Sequence, residues 1–493
     1  MVDLTSLFRP YQLSRFHAAG TTRVVAMRLV LISFLCVLSL AVVGAQPSGL
    51  RIIPTAGTTT SIEQYGITWY FDSEVEYGQF VNGDYWVVGP VTITDIDPSF
   101  EDYGYGGRNG TMVNPEVGAQ GYDAYRDPTY GTIGYRAELN LEADPGLPAT
   151  IDVSSSVVSS IGRSGSGERL RPLLQTAAVL TVLSERPPED AFRPPLIGSD
   201  KPIYRWADVD LASIPAFEPV SGVPSDISRH INNFQRPWIL HRSGWQGRYL
   251  HPRNNMSDYH GDIGRELSAG GVLLLMNVDR RDELIQNYIQ VGIDYYAMAA
   301  NGSGTSAFWS WPVIFAGAML GDSTMENMFI NEQNQTIARE DDHLYRVATQ
   351  QRSNVESDIV PAGKTWTGKD VAWRQDTSNS NCYEQEHLHP TEWSAVSSAY
   401  SCSQSLHTRE TYRRINSPAM AGMALAAAVL EMQDKYLQPE LFFAYAERWM
   451  EEDLSDSAHD VYGGNQYTSD NSEYGSTTSD FVDNFWEIHY PRN

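Results

Sequence analysis

The chain has 493 residues, of which 61 are acidic and 35 basic, a formal net charge of −26. That surplus excludes the basic footprint on which nucleic-acid binders and proteins of anionic membrane surfaces depend. The length exceeds one ordinary domain and fits either one large unit or two.

From Met27 a single basic residue, Arg28, precedes an apolar core that ends in the small-residue exit Val43, Gly44, Ala45. This predicts a signal peptide over residues 1–45, with Met27 as the expected start and cleavage after Ala45. The core is too short to span a bilayer comfortably, so a secreted or periplasmic protein with no membrane anchor after cleavage is expected. Leu35 before Cys36 does not fit a lipidation box. Cys382 and Cys402 remain in the mature chain, either as one disulfide or as two thiols.

Residues 62–97 alternate aromatic and polar positions around the turn signal Asn82-Gly83-Asp84, which predicts a hairpin or a small sheet. Residues 99–136, rich in Gly, Tyr and Asp, read as a long ordered loop. Residues 151–158 are strand-like, whereas the apolar run at 168–183 fits strand or helix equally. A proline-rich connector spans 187–202.

Beyond Tyr259 the apolar spacing becomes helical. Helices are expected at 261–277, 280–300, 311–320, 417–436 and 439–451, with Pro418 and Pro439 in first turns. Gly270-Gly271 and the Ala/Gly/Met run at 419–428 are small-residue faces of the kind that lets helices approach closely. The expected fold is therefore mainly α: an (α/α) toroid over 201–493, with the β-containing and loop region 46–200 packed on it. The polar, aromatic stretch 321–391 is assigned to a rim of the toroid. The motifs GxGxxG, HExxH and GxSxG and a Walker loop are all absent from the sequence.

Residues 236–262 reverse the local charge. Arg248, Arg253, Asn254, Asn255 and His260 share that stretch with Trp245 and Tyr259, whose rings offer sugar-stacking faces. This combination suits an anionic ligand. His387 and His389 sit two apart without a third ligand at a defined spacing, so no metal is assigned. Tyr412 beside Arg413 can have its phenolate stabilised and serve as base or acid.

The segments 77–91, 247–262, 311–317 and 442–450 resemble polysaccharide lyase family 38 and its relatives. The resemblance implies an (α/α) toroid acting on alginate or glucuronan. It also implies a carboxylate-neutralising Asn at Asn254 or Asn255 and a catalytic Tyr-Arg pair at Tyr412 and Arg413. Where relatives carry a Gly-Gly-His, this chain reads Gly302-Ser-Gly-Thr, so His389 or His260 takes the histidine's place.

The resulting expectation is a lyase that cleaves acidic polysaccharide by β-elimination without a cofactor. In it Asn255, with Arg248 or Arg253, binds the carboxylate, His389 or His260 assists proton removal, and Tyr412 is base, acid or both. The rivals are a glycoside hydrolase using Asp258 or Asp262 with Glu392, and a non-catalytic glycan-binding protein.

Overall fold

Alternation of period two over 57–97 and an apolar run at 174–183 contribute to a sheet that precedes the α-helices among the described residues. The computed structural model describes residues 56–102, 107–116, 121–122, 126–127, 131–132, 136–162, 174–235, 239–240, 249–251, 256–257, 260–301, 305–306, 310–330, 338–339, 344–346, 371–373, 406–436, 439–451, 477 and 479–491. The signal segment, Cys382, Cys402 and His389 lie outside them.

Eight strands form one sheet: β1 (Gly57–Gln64), β2 (Ile67–Gln79), β3 (Tyr85–Val88), β4 (Val91–Asp97), β5 (Thr111–Val113), β6 (Ala149–Ile151), β7 (Ser155–Gly162) and β8 (Leu174–Leu183). Their order is β6-β4-β2-β3-β8-β7-β5, with β1 added on β2. Only β3 and β8 pair in parallel, Leu180 opposite Tyr85; the other pairings in this sheet are antiparallel. The seven strands of that path curl into a nearly closed barrel. The connection between the edge strands closes the gap, since the Leu141 amide donates to the Thr111 carbonyl at 2.8 Å and Ala149 pairs with Ile93 eight residues later.

The two faces of β7 and β8 have different partners. Val157, Ala178, Leu180 and Val182 point into the barrel with Trp69 and Ile93, whereas Val158, Ala177 and Val179 face the helices. A strand buried on both faces loses its polar alternation. That resolves residues 174–183 of the ambiguous run as a strand.

The helices are α1 (Ser228–Gln235), α2 (His260–Leu273), α3 (Arg281–Ala300), α4 (Ser310–Leu320), α5 (Ser323–Glu326), α6 (Leu406–Val429), α7 (Pro439–Glu451) and α8 (Asp480–His489). Between α1 and α2 run three short strands, β9 (Ile239–Leu240), β10 (Tyr249–His251) and β11 (Met256–Ser257), paired antiparallel.

The expected mainly α toroid is incorrect: the described residues form a mixed α/β protein with a large sheet. The sheet is part of the main core, because Val81, Met112, Val158, Ala177 and Val179 share one apolar cluster with α1–α8. The small-residue faces serve this packing. Gly270 lies against Phe234 of α1 and Tyr288 of α3, and Gly271 against Trp311 of α4. Two further expectations need correction. Pro418 lies inside α6, not in its first turn. Met325, Met328 and Phe329, from the stretch assigned to a rim, are buried in the core.

Candidate functional site

The sharpest concentration of chemistry among the described side chains lies in a cleft of about 530 Å³ between α1, α2 and the start of α8. Asp226 Oδ1 accepts from the Ser228 amide and starts α1. Ile231 and Phe234 then anchor the helix in the core, which turns Arg229, His230 and Asn233 toward α2. On α2, Leu267 is buried while Arg265 and Glu266 line the cleft. The opposite wall is Gly222 against α8. Gly222 has φ +87°, and a Cβ there would meet the Phe481 amide at 2.9 Å, so a glycine is needed for the loop to sit this close.

Glu266 organises the polar groups. Arg229 Nη2 donates to its Oε1 at 2.6 Å, and Asn233 Nδ2 donates to its Oε2 at 2.5 Å. His230 Nδ1 stands 3.9 Å from the same carboxylate, beyond hydrogen-bond range, and this buried nitrogen has no hydrogen-bond partner. The ring packs edge-on against Phe481. Burial holds the imidazole pKa below its usual value and Arg229 adds to that, against the opposing pull of Glu266. His230 is therefore neutral at pH 7, with a ring nitrogen able to accept a proton. A neutral imidazole that shares an open cleft with the side chains of Arg229 and Arg265 suits an anionic ligand from which a proton is to be taken.

No family model, curated protein or solved structure matches this chain. The geometry of the cleft therefore carries the functional argument.

The sequence-predicted residues fall as follows. His260 opens α2, five positions before Arg265, and Tyr412 and Arg413 lie on α6. The structure brings those two helices together, with Ser268 of α2 packed on Gly422 of α6. Trp245, Arg248, Arg253, Asn254, Asn255, Tyr259 and His389 lie outside the described residues, as do the hydrolase candidates Asp258 and Glu392. Sequence reasoning missed Arg229, His230, Arg265 and Glu266. The available signal was Asp226 as a helix cap followed by Arg229-His230, a basic pair immediately upstream of the charge-reversed stretch. Among the described residues no group of three or more His, Cys, Asp or Glu side chains could hold a metal ion.

Proposed function

We propose that this protein is a polysaccharide lyase that cleaves uronate-containing glycans by β-elimination in the cleft between α1, α2 and α8. The observation that carries the reading is the neutral His230, which lines one cleft together with Arg229 and Arg265. The guanidinium groups pair with the uronate carboxylate and make the neighbouring C5 hydrogen more acidic. His230 removes that proton, the electron pair forms the C4–C5 double bond, and O4 departs with a proton. Tyr412, expected from the sequence as base, acid or both, or the imidazolium itself supplies that last proton. Glu266 acts as a positioning residue. Its two oxygens already accept from Arg229 and Asn233, which argues against the free carboxylic acid a hydrolase would need.

The test is to incubate the full-length protein with alginate and with glucuronan and to follow the ultraviolet absorbance of an unsaturated uronate. His230→Gln is expected to lower kcat by about 10²-fold or more with the fold intact. New reducing ends without that absorbance would mean hydrolysis, and an unchanged rate in His230→Gln would remove this histidine from the chemistry.

A further inference from the structure

A second cavity, of about 630 Å³, lies between the connector that follows β8, the C-terminal half of α3, and α5. Its chemistry is opposite to that of the cleft. No described lining residue is basic, while Asp200 and Glu116 are exposed carboxylates that make no ion pair among the described residues. Tyr204 and Tyr296 contribute two half-buried rings, and Ile293, Ala297 and Met325 an apolar floor. The Tyr204 hydroxyl donates to Asp322 Oδ2 at 2.6 Å. Burial pushes the Tyr296 phenol up, and Asp322 and Asp200 push it further, so both carboxylates act on that ring. Lys201 lies within electrostatic reach of Asp200 and offsets part of this acidity, but its amine is turned to backbone oxygens and forms no ion pair with Asp200 among the described residues. Lys201 Nζ donates to the carbonyls of Pro195 and Ile197, at 2.8 and 3.3 Å, and burial brings its pKa down to about 7.

We infer that this cavity is a binding site for an organic cation, a quaternary or primary ammonium ion held against Tyr204 and Tyr296 with Asp200 as counter-charge. Tyrosine faces attract such a cation through the ring quadrupole. The apolar floor accommodates its methyl or methylene groups, and Asp200, exposed and without an ion pair among the described residues, supplies the counter-charge. A uronate would meet only like charge here, so this site is separate from the cleft and does not depend on lyase activity.

Calorimetric titration of the full-length protein with choline, tetramethylammonium and the uncharged isostere 3,3-dimethyl-1-butanol tests the inference. Both cations are expected to bind, with the isostere about tenfold weaker or more. Asp200→Asn, at an exposed position, is expected to weaken choline by about fivefold or more without changing the melting temperature, and Tyr296→Leu by a similar factor. Three results would overturn the inference: no heat with either cation, equal affinity for the uncharged isostere, or unaltered choline binding in Asp200→Asn.

Discussion

Arg193 shows what one buried side chain can hold together. Its Nε donates to Asp84 Oδ2 at 2.6 Å, at the turn between β2 and β3, and its Nη1 donates to Asp294 Oδ1 of α3 at 3.0 Å. Asp84 is completed by Gln64 and Asn82, so every charge in this group has partners. Breaking such a group by removing one member is far costlier than the group is stabilising, because the survivors stay buried and uncompensated. Arg193→Met is therefore expected to cost about 3–5 kcal/mol in denaturant unfolding. A loss below about 1 kcal/mol would show that the two carboxylates reach water or neutralise without it. Glu142 is a different case, since no cation faces it among the described residues. Its oxygens accept from the Phe100 amide and from Thr111 Oγ1, and Thr111 continues through Ser159 to Trp69 inside the barrel. Burial dominates and brings its pKa from 4.5 up to about 7. A carboxyl raised in the folded state contributes stability that is complete below 4.5 and is lost as pH climbs through about 7. The loss is at most roughly 3 kcal/mol. Glu142→Gln keeps an acceptor for Phe100 and should flatten the unfolding free energy between about pH 5 and 8. A pH profile identical to that of the parent would place the titration elsewhere.

At the level of elements, the packing of α2 on α6 turns on one contact. Alanine is better than glycine in a helix by about 1 kcal/mol, so Gly422→Ala would stabilise an exposed helix. Here the added methyl would collide with Ser268 Oγ and approach Ser268 Cβ at 3.0 Å and Val482 Cγ1 at 3.4 Å. Overpacking of that kind costs about 1–3 kcal/mol, so the net effect is expected to be destabilising. Thermal melts should show Gly422→Ala lowered and partly restored by adding Ser268→Gly; a raised melting temperature in the single variant would mean that α2 yields freely. The same elements explain what could be read from the sequence. The helices α2, α3, α4 and α7 announce themselves because long apolar stripes, such as Leu284, Ile285, Tyr288 and Ile289, repeat at helical spacing. Strand β8 does not, because both its faces are buried. The start of α6 was missed because residues 406–416 are largely polar, and α1 and α8 are only eight and ten residues long. The cleft was not legible because its ion pair joins Arg229 to Glu266 across 37 residues, a proximity that only the packing of α1 against α2 creates.

For the whole molecule, barrel and helices share one core, and the surface around that core carries most of the −26 charge. A polyanionic substrate is therefore repelled at long range by the same protein whose cleft attracts it at short range through Arg229 and Arg265. These opposing terms respond differently to salt. The screening length shrinks from about 10 Å at 0.1 M to about 3 Å at 1 M, which removes repulsion across the surface before it weakens a contact of the kind Arg229 makes with Glu266 at 2.6 Å. If the cleft is the site of uronate binding, KM for alginate or glucuronan should fall as sodium chloride rises from about 0.05 to 0.5 M, with kcat nearly constant. A site whose affinity came from a broad basic surface would show the reverse, KM rising from the lowest salt upward. Arg229→Gln separates the two terms further, because it should raise KM at every ionic strength without changing the direction of the salt response. A parent protein whose KM climbs steadily with salt would mean that a basic surface outside the described residues, and not this cleft, meets the substrate first.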